Sequence, residues 1–214
     1  MRVLPIGVAG RLMGWIMRRQ GPRIMKLRAI RDNLRAACPG IDEARLDSLV
    51  EEVLASMGHL MVEVANVAAF CRGTRGTSMQ VGGALDYPFR QKGPAIFVGG
   101  HLGNWEMVPV MLGQQGIRLT IIQTPVPHPG LHRRLMALRE QTGATYVETA
   151  KALRACAAAL KRGESLALLV DQRVDSGVEV EFLGHRTLFT HFPARMALKF
   201  GCPIIVMDCW RTAP

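Results

Sequence analysis

Apolar positions along the chain follow two different rules. Between Leu46 and Val64 they recur at Leu46, Leu49, Val50, Val53, Leu54, Met57, Leu60, Met61 and Val64. This i, i+3, i+4, i+7 spacing predicts a long amphipathic helix reaching about Phe70, with Asp42 as its N-cap. Upstream, Leu12, Met13, Trp15, Ile16 and Met17, then Ile24, Met25, Leu27, Ile30 and Leu34, keep near-helical spacing up to the breaker Cys38-Pro39-Gly40. Residues 1–72 therefore read as an N-terminal helical pair. A Gly/Thr-rich connection follows over 72–83, with a short strand around Met79-Gln80-Val81 as an option.

From residue 94 short apolar runs alternate with helical stretches. The runs are Ala95–Val98, Leu119–Gln123, Thr145–Val147, Ser165–Val170 and Ile204–Cys209. Between them the spacing predicts helices near Asn104–Leu112, Leu131–Gln141, Ala150–Lys161 and Pro193–Phe200. Pro193 suits a first helical turn, and Gly113, Gly143, Gly163 and Gly201 fall where helices should stop. Strand–helix alternation at this spacing predicts an α/β fold with a mainly parallel sheet flanked by helices. Residues 73–214 form this core, packed as one domain with the N-terminal helices. The last run ends at Cys209, five residues before Pro214. An open sheet finishing on a fresh strand reads as a C-terminally truncated protein.

Charge sharpens the picture. The formal net charge is +10, and residues 1–35 hold nine Arg/Lys against the single acid Asp32. Such a surplus favours an anionic partner: nucleic acid, acidic lipid head groups, or an acidic carrier of substrate. Basic residues around an apolar face with Trp15 suit a helix lying on an anionic bilayer. They equally suit a solvated basic helix packed on its own domain. No stretch approaches the roughly 20 apolar residues of a spanning helix, so attachment should be peripheral. Aromatics amount to 6% and form no stacking platform, which argues against a nucleic-acid module. Five scattered cysteines without CxxC spacing argue against disulfides and metal, and predict small buried side chains in a reducing cytoplasm.

The densest chemistry is Ile96-Phe97-Val98-Gly99-Gly100-His101-Leu102-Gly103-Asn104-Trp105-Glu106. A strand runs into two glycines, a histidine and a helix start, at the sheet edge where α/β proteins bind ligands. An imidazole at His101 can take a proton from a hydroxyl near neutral pH. Glu106, five residues on, does not share a regular helical face with it, but an irregular turn would let its carboxylate hold the imidazole. Amides around Gly103 and Asn104 could face an oxyanion or phosphate. Spacing alone favours a core histidine and a surface glutamate at a strand–helix junction. The glycines do not form GxGxxG, against a dinucleotide site.

Gly-Gly-His101-Leu-Gly-Asn104-Trp105-Glu106 resembles the His-x4-Asp/Glu motif of the glycerolipid acyltransferase superfamily. Its Asn-Trp-Glu ending is similar to that of the bacterial lipid A late (lauroyl/myristoyl) acyltransferases, a branch that includes phosphatidylinositol mannoside acyltransferases. Further blocks follow in order. Arg31-Asp32-Asn33-Leu34 with Cys38-Pro39, Arg139 with Gly143, Leu168-Leu169-Val170-Asp171-Gln172-Arg173, Phe182-Leu183-Gly184 and Pro193-Ala194-Arg195-Met196-Ala197-Leu198 each resemble a family block. The resemblance implies an O-acyltransferase on the cytoplasmic face of the bacterial inner membrane. It would move an acyl group from acyl carrier protein or coenzyme A thioester to a hydroxyl of a lipid A precursor or related glycolipid, without metal or other cofactor. It implies His101 as general base, Glu106 as its support, and Asn104, Arg139, Asp171, Gln172 and Arg173 as substrate-binding residues. The family's usual hydrophobic N-terminal anchor is weak here. A truncated, non-catalytic membrane-binding homologue is the competing reading.

Overall fold

The computed structural model describes residues 4–74, 77, 79–80, 82 and 93–211. Two compact units divide the chain. One holds the residues up to Asn66 with Glu181–His185; the other holds Val67–Val180 and the residues from Arg186 on.

The first unit is helical: α1 (Ile6–Ile24), α2 (Arg28–Ala37) and α3 (Glu43–Ala65). Asp42 caps α3 as expected, its Oδ1 accepting from the Arg45 amide at 2.8 Å. The upstream apolar spacing resolves into two helices, broken at Met25–Leu27. Helix α1 lies along α3 with glycines at the crossing. A β-carbon on Gly58 would stand 2.7 Å from the Met13 carbonyl oxygen, and one on Gly10 would stand 2.7 Å from the His59 ring. Met17, Val50 and Leu54 are buried between these helices. Arg31 pairs with Glu43 at 2.5 Å and with Asp47, and Arg35 pairs with Glu43 at 2.8 Å. Part of the N-terminal positive charge is thus neutralised within the unit. The helix expected to reach Phe70 stops at Ala65. Asn66 donates its side-chain amide to the Val62 carbonyl at 2.7 Å, and a separate short helix, α4 (Val67–Arg72), begins the second unit.

The second unit carries the sheet: β1 (Ile96–Gly99), β2 (Leu119–Gln123), β3 (Thr145–Glu148), β4 (Ser165–Leu169) and, last in the chain, Ile204–Val206. Between β4 and that strand come β5 (Val178–Phe182) and β6 (His185–Phe189), a separate two-stranded sheet, so Ile204–Val206 is β7. The main sheet has the order β3-β2-β4-β1-β7, and every pairing is parallel. Its connections contain α5 (Val108–Gln114), α6 (Pro129–Arg139), α7 (Ala152–Lys161) and α8 (Phe192–Phe200). One core, around Ile96, Val98, Cys156, Leu160, Leu166 and Met196, fills the face under α7 and α8. The other, around Phe97, Leu112, Leu119 and Ala167, fills the α5 face. Alternation along β1 divides its residues between the two, as the strand period requires.

The α/β fold with a mainly parallel sheet therefore stands as expected. Gly143, Gly163 and Gly201 sit at positive φ where helices end, while α5 runs past Gly113 to Gln114. The β5–β6 hairpin is new relative to the sequence reading. Its signal was present in the alternation Val178-Glu179-Val180-Glu181-Phe182. Leu183 (φ 52°) and Gly184 (φ 75°) form the left-handed two-residue turn that matches strand twist. The strand considered at Met79-Gln80-Val81 lies partly outside the described residues, and Met79 and Gln80 are not in a strand. Of the cysteines only Cys156 and Cys202 are buried; Cys71 and Cys209 are half-buried and Cys38 is exposed. Among the described residues no helix is long and apolar enough to cross a membrane.

Candidate active site

Three neighbouring strands, β4, β1 and β7, end on one sheet edge. Parallel register pairs Gly99 of β1 with Leu169 of β4, so His101 and Asp171, each two residues further, come level. Asp171 Oδ2 accepts from the His101 backbone N–H at 2.7 Å, and Oδ1 lies 2.8 Å from Nδ1. A carboxylate only accepts, so this contact places the imidazole proton on Nδ1 and leaves Nε2 with its lone pair. Burial pushes the Asp171 carboxyl upward, but the hydrogen bonds from the His101 backbone and ring and the electrostatic attraction of that ring more than offset this, and its pKa lies below the ordinary aspartate value. Trp105 meets the His101 ring edge-on, with centroids 4.8 Å apart. The Gln172 side-chain amide is 3.4 Å from Nε2.

Gly103 makes this loop possible. It has φ of +55°, and a β-carbon there would stand 1.6 Å from the Cys209 carbonyl oxygen. The same carbonyl accepts from the Asn104 amide at 3.2 Å. That amide is therefore held by the chain beyond β7. Asn104 itself is buried at 3% exposure and does not line the cavity.

Glu106 does not sit on His101. It lies in the 3-10 turn Trp105–Met107, which carries it toward the end of α6. There Arg139 donates to it twice, Nε to Oε2 at 3.1 Å and Nη2 to Oε1 at 2.5 Å. Arg139 Nη1 also donates to Gln123, and its guanidinium lies 5.1 Å from the Tyr146 ring centroid. The two charged side chains are 12% and 16% exposed. A carboxylate withdrawn from water to that degree needs a cation more than it needs a neutral imidazole, and among the described residues Arg139 supplies it. Burial pushes the Tyr146 hydroxyl up to about 12, so it stays protonated. The expected carboxylate on His101 is present, but Asp171 supplies it.

These groups line one cavity of about 590 Å³, within the range of small-molecule sites. Its walls are apolar at Val108, Pro109, Ile121, Ile122, Leu153 and Phe192. His101, Gln172 and Arg173 line it too, as do Glu106 and Arg139, so six of the seven expected site residues gather here, Asp171 through its bonds to His101. Gln123 and Tyr146 went unread in the sequence. Gln123 ends β2 on the ligand-binding edge, and that position was the available signal.

Comparison with known proteins shows the family. Residues 1–214 match the family described as bacterial lipid A biosynthesis acyltransferase. The chain belongs to that family. Among similar proteins is a phosphatidylinositol mannoside acyltransferase of Mycolicibacterium smegmatis (strain ATCC 700084 / mc(2)155). It is 27% identical over 175 residues, covering 77% of this chain and 56% of the relative. A phosphatidylinositol mannoside acyltransferase of Mycobacterium tuberculosis (strain ATCC 25618 / H37Rv) is 25% identical over 115 residues, covering 51% and 36%. The chain thus spans about half the length of the first of these relatives and about a third of the second.

Proposed function

We propose that this protein is an O-acyltransferase that moves a fatty acyl group from a carrier-protein or coenzyme A thioester to a hydroxyl of a lipid A precursor or related glycolipid. The His101–Asp171 pair at the mouth of an apolar-walled cavity carries this reading. His101 Nε2 takes the proton of the acceptor hydroxyl as its oxygen attacks the thioester carbonyl. Asp171 holds the ring by Nδ1–H and stabilises the imidazolium that forms. The tetrahedral intermediate collapses with cleavage of the C–S bond, and the departing thiolate takes the proton back from His101. No acyl-enzyme forms, and the thioester is the only co-substrate. Glu106 and Arg139 act through the wall they build rather than on the base. Arg173, exposed on the cavity rim, would meet anionic groups of the donor.

The protein works, in this proposal, at the cytoplasmic face of the bacterial inner membrane. Helix α1 leaves Val8, Leu12 and Trp15 exposed beside Arg11, Arg18 and Arg19, a surface suited to anionic lipid. Radiolabelled acyl transfer to a lipid A precursor in detergent micelles, from acyl carrier protein or coenzyme A, tests the reaction. Transfer that His101→Ala abolishes in a folded protein supports both reaction and base. Transfer insensitive to His101→Ala refutes the mechanism, and none from wild type with any glycolipid acceptor favours a non-catalytic homologue.

A further inference from the structure

Strand β7 brings a second carboxylate to the same sheet edge. Val206 pairs with Val98, so Asp208, two residues past β7, comes level with Gly100, next to His101. Backbone pairing continues beyond the strand, the Met207 amide donating to the Val98 carbonyl at 2.8 Å. Asp208 lines the cavity and is exposed. Among the described residues it makes no ion pair, although the chain carries 27 Lys/Arg against 17 acids. A solvated surface carboxylate needs no explanation; one on the wall of an otherwise basic protein's cavity does.

The mouth of the cavity is therefore polarised. Arg173 follows β4 on one side of β1, and Asp208 follows β7 on the other. An anionic donor head group is attracted by the first and repelled by the second. A neutral polyol has the opposite preference, because a carboxylate has two oxygens that accept only, and adjacent hydroxyls can donate to both. Thr190 lines the same cavity and adds a hydroxyl that can donate or accept. We propose that Asp208 is a specificity residue that holds a vicinal diol of the sugar acceptor, and so turns the reacting hydroxyl toward His101. The acceptor enters on the β7 side and the thioester on the β4 side. This deepens the acyl-transfer reading and rests on it for the reaction, though not for binding.

Binding and turnover separate the two. Calorimetry with octyl mannoside as the diol probe, on the full chain, should show Asp208→Asn weakening Kd by about tenfold, the effect expected of an exposed charge-assisted hydrogen bond. Equal Kd for wild type and Asp208→Asn, or no binding to wild type, overturns the assignment. In turnover with lauroyl-coenzyme A, the ratio of kcat/KM for octyl mannoside over 1-octanol should fall about tenfold in Asp208→Ala. A purely structural defect would lower both substrates alike and leave the ratio unchanged, which also overturns the assignment. Asp208-dependent binding without acyl transfer from wild type would retain the diol site and sink the acyl-transfer reading.

Discussion

The pairing of Glu106 with Arg139, rather than with His101, makes a quantitative prediction about stability. Among the described residues, Glu106→Leu leaves a guanidinium 16% exposed with Gln123 as its side-chain hydrogen-bond partner, and Arg139→Met leaves a carboxylate 12% exposed with no cation. Breaking one side of a buried pair costs about 3–5 kcal/mol. The residual exposure and the neighbouring polar groups place each single variant at the lower end, about 3 kcal/mol. For a chain of this length that lowers Tm by roughly 6–12 °C. The double variant removes both charges together, leaving the lost stacking on Tyr146 and the unpaired Gln123 oxygen, about 2 kcal/mol in all. Urea denaturation of all four proteins then gives a coupling energy above about 2 kcal/mol, with the double variant more stable than either single one. Additive losses would refute the pairing. So would a Glu106→Leu protein of unchanged stability whose acyl-transfer pH profile has moved, because that would put Glu106 on the base.

Four further outcomes follow from the structure. Asp171→Asn should lower kcat by about 10²–10⁴ while the protein stays folded, since an amide no longer enforces the Nδ1–H tautomer; activity within threefold of wild type would exclude the proposed role. Because the Asp171 pKa is depressed in the fold, its pairing stabilises above the ordinary aspartate value of about 3.9 and is lost as pH falls through the lower folded value. Urea titrations between pH 2 and 7 should show that part of the acid destabilisation missing in Asp171→Asn. Gly103→Ala should inactivate the protein and cost at least about 2 kcal/mol, since it adds a clash with the Cys209 carbonyl to an unfavourable positive φ; a melting curve like wild type's would contradict the loop geometry. In the helical unit, Gly58→Ala already sets a β-carbon 2.7 Å from the Met13 carbonyl oxygen and 2.8 Å from the Gly14 backbone, so it should destabilise despite the gain in helix propensity, and Gly58→Leu should cost more, about 3 kcal/mol. Equal thermal stability of Gly58→Leu and wild type would refute the close crossing of α1 and α3.

Local order was the legible part of this protein. Period and punctuation along the chain determined the helices between the strands, the five strands of the main sheet, the Asp42 cap and the glycine stops at Gly143, Gly163 and Gly201, because each depends on residues within a turn or two. The breaks at Met25–Leu27 and Asn66 that divide the N-terminal helices were not among them. The ordered motifs likewise marked His101, Glu106, Arg139 and Asp171 as a set. Which of them touch was beyond reach, because that depends on strand order and register. Only the pairing of β1 with β4 brings Asp171, 70 residues away, onto His101. Only the burial of Glu106 against α6 decides that its partner is a guanidinium 33 residues on, rather than an imidazole five residues back. Asp208 had no signal of its own in the sequence, since a lone aspartate after an apolar run looks like any solvated charge. The edge position of β7 beside β1 is what sets it on the cavity wall. Sequence fixes where hydrogen-bonding groups lie along the chain, but a carboxylate takes the partner that tertiary packing leaves within about 3 Å, and the energy of that choice comes from desolvation, which no linear pattern records.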